Sequence, residues 1–270
     1  MKFKELNIWL LSLLSMVKIA DLKKDILQSG LPTEIQVSNL LKQDNWIVIN
    51  QYPYIDEKTQ KIRTLDIQSV KSFENGKICH LFIECKKSAD HQWIFYTSSG
   101  EPESMSILFR FFDHLARELS RQKVTEMEGP LYSVHPNLVD SKIGIISYIP
   151  FKKKDDFNTA KNQILSAMSS RKLYANEERI IYPVIVFDGD IYEVQITGKD
   201  VALNKVDYVK FLSSMISQIT PILIDVVTLG YFPSYLNLIN KELGPSHSYS
   251  ELVALFKKEL RDLQEKSKST

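Results

Sequence analysis

Most quick routes to a function are closed by what the sequence lacks. It has two cysteines in 270 residues, Cys79 and Cys85, and no C-x-x-C pair. None of its five histidines forms H-x-x-x-H, so the common zinc patterns are missing. No P-loop, G-x-S-x-G or G-x-G-x-x-G occurs, which leaves serine-hydrolase and nucleotide-binding readings without a motif. Charge of one sign is lacking too: 34 Lys and Arg stand against 33 Asp and Glu. A grip on nucleic acid by bulk electrostatics is thereby excluded, and any such contact must come from a local patch.

Long apolar runs are also absent. Ile8–Val17 follows Lys2 and Lys4 like a signal-peptide core, but Glu5 interrupts the basic stretch and Lys18 ends the run. It falls well short of the roughly 20 residues a membrane span needs, and no small-x-small cleavage site follows. Residues 1–30 are expected to be a helical extension packed on the domain, with Met16 as an alternative start. Cys79 and Cys85 fall in one predicted strand, six residues and roughly 20 Å apart, too far to bridge. Two isolated buried thiols fit a reducing cytoplasm.

The patterning that is present describes a mixed α/β chain. Thr33 reads as a helix cap with Gln36 closing a capping box, and the helix runs to about Asp44 with Val37, Leu40 and Leu41 at helical spacing. A strand from Trp46 to Tyr54 follows, then Ile62–Val70, then Ile78–Lys86, with Asn75-Gly76 predicting a type I′ hairpin between the last two. Helices are expected over residues 104–122, 156–169, 206–219 and 250–266. Strands are expected over 143–149, 180–187 and 191–196, the last two joined as a hairpin at Asp188-Gly189. Trp93, Phe95 and Tyr96 read as core, and Lys152-Lys153-Lys154 as a solvated loop or a local phosphate patch.

Chemistry concentrates in Leu81-Phe82-Ile83-Glu84-Cys85-Lys86-Lys87. Consecutive apolar residues imply a strand covered on both faces, so charges at its end carry a desolvation cost unless partnered. Glu84 and Lys86 share one face, two residues apart, while Ile83 and Cys85 face away. In Thr64-Leu65-Asp66-Ile67-Gln68, Leu65 and Ile67 should point one way and Asp66 and Gln68 the other. The hairpin then folds Asp66 back beside Glu84. Two adjacent carboxylates repel unless a divalent cation lies between them, and magnesium favours such a site, with few carboxylates and several retained waters.

Asp66 followed by Glu84-Cys85-Lys86, after a helix and within a three-strand meander, resembles the D…ExK signature of the PD-(D/E)XK nuclease superfamily. The resemblance covers about a quarter of the chain, with Leu65 where the nominal proline would stand. It implies a restriction-endonuclease-like mixed sheet flanked by helices over residues 31–200, with residues 201–270 as a helical C-terminal appendage on the same domain. It further implies Asp66 and Glu84 as ligands of magnesium (manganese as a substitute), Lys86 as the group that orients the attacking water, and the Cys85 carbonyl and Glu34 as further ligands. Gln68, Lys87 and Gln163 are auxiliary candidates beside plainer readings as surface or solvated residues. The implied activity is hydrolysis of DNA, with RNA as the alternative substrate and a homodimer as the assembly. The rival reading is a nuclease-like domain without activity that serves binding or assembly.

Overall fold

The Cys79–Cys85 stretch is buried throughout, as a strand covered on both faces must be. In the computed structural model this strand lies inside a mixed sheet of ten. The described residues are 19, 21–88, 91–97, 143–148, 155–170, 179–197, 199–213 and 222–245. The expected helices over 104–122 and 250–266 and the Lys152-Lys153-Lys154 loop lie outside them.

The chain enters through helix α1 (Leu31–Gln43) and an antiparallel meander, β1 (Ile47–Asp56), β2 (Lys61–Ser72) and β3 (Ile78–Lys87). Strands β4 (Trp93–Thr97) and β5 (Ile143–Tyr148) precede helix α2 (Asp156–Ser170). Strand β6 (Arg179–Asp188) then lies parallel to β3 along its whole length. After it come β7 (Ile191–Thr197), β8 (Asp200–Val206), β9 (Tyr208–Ser213), β10 (Ile222–Thr228) and helix α3 (Phe232–Leu243). The sheet order is β1-β2-β3-β6-β10-β9-β5-β4-β7-β8.

Helices cover both faces. Phe157, Ala160, Ile164 and Met168 of α2 pack on one face with Phe82, Ile181, Ile185 and Phe187. Val37 and Leu41 of α1, with Phe232, Tyr235 and Ile239 of α3, pack on the other against Leu81, Ile83, Val184 and Val186. Alternation along β3 and β6 is thus the two-sided burial expected of strands inside such a sheet. No helix among the described residues is long and apolar enough to cross a membrane.

Several expectations need correction. Helix α1 begins at Leu31 with Gly30 as its cap residue, and no side chain caps it. Pro32 suits the first turn because its missing N–H would have no partner there. Thr33 is therefore inside the helix, where its hydroxyl donates to Asp188 Oδ2 at 3.3 Å. Residues 21–28 of the expected extension are helical and exposed, and residues 1–18 and 20 lie outside the described residues. The β2–β3 turn is not type I′, since only Gly76 has positive φ (84°). Asn75 instead donates its amide to the Leu243 carbonyl, tying the turn to the end of α3.

Asp188-Gly189 is not a hairpin either. Strand β6 is already flanked by β3 and β10, so β7 pairs with β4 and β8. Gly189 is required by crowding: a Cβ there would stand 2.6 Å from the Phe187 ring and 2.9 Å from the Ser88 carbonyl. The helix expected over 206–219 is replaced by β9 over its first half, where Val209 and Phe211 enter the α2-side core and Lys210 faces away. That period-two pattern reads as a strand.

Candidate functional site

The site is built where the β1–β2–β3 ladder breaks its own alternation. Val48 packs on the α1 side of the sheet, yet Tyr52 and Tyr54 pack on the α2 side. Ile67 and Leu65 on β2 divide in the same way, contrary to the expectation that they share a face. Both strands change phase at facing positions, Gln51 and Asp66, between the pairs Asn50–Ile67 and Tyr52–Leu65. Gln51 takes φ +49°, a left-handed conformation that non-glycine residues rarely adopt.

Side chains replace main-chain acceptors beside this kink. The regular β2–β3 ladder stops at Ile67–Ile83. Past it, the Cys85 N–H donates to Asp66 Oδ2 at 2.8 Å, and the Asp66 N–H donates to Glu84 Oε1 at 3.4 Å. Lys86 Nζ donates to Glu84 Oε2 at 2.8 Å. The three expected residues are therefore joined in one hydrogen-bonded group at the end of β3. Glu84 is wholly buried, whereas Asp66 and Lys86 are half-buried and keep a path to solvent.

Burial sets the electrostatics. It pushes the Glu84 carboxyl up to about 7, Asp66 adds to the rise, and the Lys86 ammonium opposes it. Asp66 is raised by burial too, against the pull of Lys86 and the Cys85 N–H. Burial works against the Lys86 charge, but Glu84 and Asp66 overrule it, and its affinity for the proton rises. The carboxylate pair thus retains a proton toward neutral pH, as expected where two carboxylates share one poorly solvated site.

Glu34 reaches the cluster from α1. Its Oε2 accepts from Gln51 Nε2 at 2.8 Å. Burial and the Asp66 charge raise its carboxyl, while Gln51 and Lys86 lower it. Gln51 carried no recognisable sequence signal, because a polar residue in a strand says nothing of its φ.

The auxiliary candidates fare differently. Gln68 is buried, not a surface residue, and its amide meets His80 Nδ1 at 3.2 Å one strand away. Lys87 faces away from Lys86 and bridges to Asp188 Oδ2 at 3.1 Å, the carboxylate that also takes the Thr33 hydroxyl. Gln163 is half-buried on α2, three residues from Ala160 and four from Ala167. Among the described residues no hydrogen bond joins it to the Asp66–Glu84–Lys86 group. Cys79 and Cys85 are free and buried, with thiols raised well above their ordinary range by burial.

Among the described residues no cluster of three or more His, Cys, Asp and Glu side chains is placed to hold one metal ion. The donors at hand are the paired carboxylates, which are hard oxygen ligands. Comparison with protein-family models, with curated proteins and with solved structures returns no match for this chain.

Proposed function

We propose that the chain is a metal-dependent nuclease of the PD-(D/E)XK type that hydrolyses phosphodiester bonds in DNA. The observation that carries this reading is the interlock of Asp66, Glu84 and Lys86 through two hydrogen bonds, with a third from the Cys85 N–H to Asp66, at the half-exposed end of a buried strand. The order of elements supports it as well. The resemblance implies a helix, a three-strand meander, a crossing helix and a further strand, and α1, β1–β3, α2 and β6 follow in that order with β4 and β5 between the meander and α2.

The donor set suits a divalent cation of the magnesium kind. Asp66 and Glu84 would hold it, with the Cys85 carbonyl as a further ligand and solvent in the other positions; Glu34, bonded to Gln51, is not grouped with them around one ion. Bound there, such an ion supplies a Lewis acid for a phosphoryl oxygen and makes water more acidic. The remaining work falls to the chain. Asp66 is oriented by the Cys85 N–H, and Glu84 by Lys86 and the Asp66 N–H. Lys86, half-buried and paired with Glu84, would orient a water or meet a phosphate as negative charge builds up.

The test is a cleavage panel on single-stranded, double-stranded and branched DNA with magnesium or manganese, using Glu84→Ala and Lys86→Ala as controls. Cleavage by the natural chain that both variants lose is the expected result; cleavage that survives Glu84→Ala overturns the assignment. A second reading, a binding or assembly module without activity, draws on Glu84 being already satisfied by Lys86 at 2.8 Å. Calorimetry separates the two, since the module predicts no manganese site that depends on Asp66 and Glu84.

A further inference from the structure

The two edges of the ten-stranded sheet are treated differently. At the β1 edge, Pro53 removes a donor, Gln51 breaks the strand, and Asn50 is engaged by Ser38 of α1 at 2.6 Å. These are the usual means by which an edge is kept from pairing. Strand β8 lacks these three devices, although Asp200 and Lys205 stand near its ends. It contains no proline, no glycine and no residue of positive φ, and among the described residues it pairs with β7 alone. Positions 200–205 of this strand are exposed on both faces.

One face of the β7–β8 pair is an apolar patch. Val201 lies directly across from Ile196, and Leu203 across from Val194. Val201, Ile196 and Leu203 are 64%, 55% and 51% exposed, values that belong to side chains with a whole side uncovered. Such a patch beside an unpaired ladder is a template for another strand.

We propose that this edge is a self-association surface, with β8 of one copy pairing antiparallel to β8 of a second about a two-fold axis at Leu203. The charge pattern selects both the occupant and the register. Centring on Leu203 sets the two Leu203 side chains against each other with both apolar patches on one face, and it brings Lys199 and Asp207, which flank the strand, toward each other twice by symmetry; Asp207 Oδ1 also accepts from the Thr228 hydroxyl at 3.2 Å. Centring on Ala202 sets Lys199 against Lys205, like charge against like. Lys205 is already bridged to Asp190 at 2.7 Å, which holds it at the margin of the patch. The result is one continuous sheet through two chains, and it does not depend on the nuclease reading.

The experiment combines sedimentation of the full chain with site-directed crosslinking. The natural chain is expected to move from one copy toward two as concentration rises. In the proposed register the two Leu203 Cα atoms stand about 5 Å apart, within disulfide range, and the two Val201 Cα atoms roughly 14 Å apart. Leu203→Cys should therefore crosslink to itself under mild oxidation, and Val201→Cys should not; Cys79 and Cys85 are buried and take no part. Lys199→Glu should weaken association by roughly tenfold, and Lys199→Glu with Asp207→Lys should restore it. A chain that stays single at its highest attainable concentration overturns the proposal. So does crosslinking of Val201→Cys equal to that of Leu203→Cys, which would mean unspecific encounter.

Discussion

Two buried carboxylates in this sheet each lie beside a lysine, and their surroundings differ in a way that separates structure from chemistry. Asp225 on β10 is Lys210's direct cross-strand partner and lies under α3. Its two oxygens accept from the Tyr208 and Tyr235 hydroxyls at 2.7 and 2.6 Å. Burial raises its carboxyl, and Lys210 and the two phenols oppose the rise. Donors surround a single acid there, and the ladder through it is unbroken. At Glu84 the balance is reversed. Two acids lean on one lysine, with a third, Glu34, close by, and they do so where the ladder has come apart. A fully satisfied buried network makes a unique fold. An excess of acid at a half-open strand end is what a cation would relieve.

The strongest way to break this contrast is to neutralise each acid in turn. On the proposed nuclease reading, Glu84→Gln should lower DNA cleavage by a factor on the order of 10³ or more, the equivalent of several kcal/mol of lost transition-state stabilisation, while the chain stays folded. Asp225→Ala should do the opposite. Removing one partner of a buried charge pair costs about 3–5 kcal/mol of stability, visible as an earlier denaturant midpoint, with manganese affinity of the folded chain unchanged. If Asp225→Ala abolished metal binding in folded protein, or Glu84→Gln left cleavage intact, the division between the two sites would fail.

Titration sharpens the same comparison. Glu84 holds its proton up to about pH 7 in the folded chain, against an ordinary 4.5. Between those values the folded state binds more protons at this group than the unfolded one, so the contribution of Glu84 to stability is greatest below pH 4.5 and is lost as pH rises through 7. The loss attributable to this group is roughly 3 kcal/mol. Urea melts across that window should show the decline, and Glu84→Gln should flatten it. Magnesium added at pH 8 should recover stability in the natural chain and not in the variant. Asp225 shifts in the same direction, so the slope left in Glu84→Gln belongs in part to it.

How much of this was legible in the sequence follows from what each signal measures. The meander and the buried β3 are legible because period-two alternation and a turn glycine act locally; the hairpin brings Asp66 beside Glu84 as expected, but the alternation through Thr64–Gln68 breaks there, with Leu65 and Ile67 divided between the two faces. The pairing partners of β6 and β7 are not legible, since Asp188-Gly189 reads as a hairpin whatever lies beside it. Only the tertiary neighbours β3 and β10 exclude that hairpin. The strand at Tyr208–Ser213 is not legible from spacing, because its apolar residues also suit a helical stripe. The burial of Gln68 is not legible either, because its partner, His80, becomes a neighbour only through the register of β2 on β3.

The smallest expected effect concerns the kink itself, which the Asp225 network lacks. Gln51 is held at φ +49° opposite Asp66, and holding a side-chain-bearing residue there costs on the order of 1 kcal/mol. Glycine adopts that conformation freely but adds entropy to the unfolded chain and forfeits the bond to Glu34. Gln51→Gly should therefore change stability by no more than about 1 kcal/mol in either direction. Gln51→Val should lose clearly more, because a β-branched residue is disfavoured at that φ. Urea melts of the pair measure the difference. Equal losses in both variants would place the importance of this position in its hydrogen bond to Glu34, and the phase change of β1 and β2 would then need a cause other than local backbone geometry.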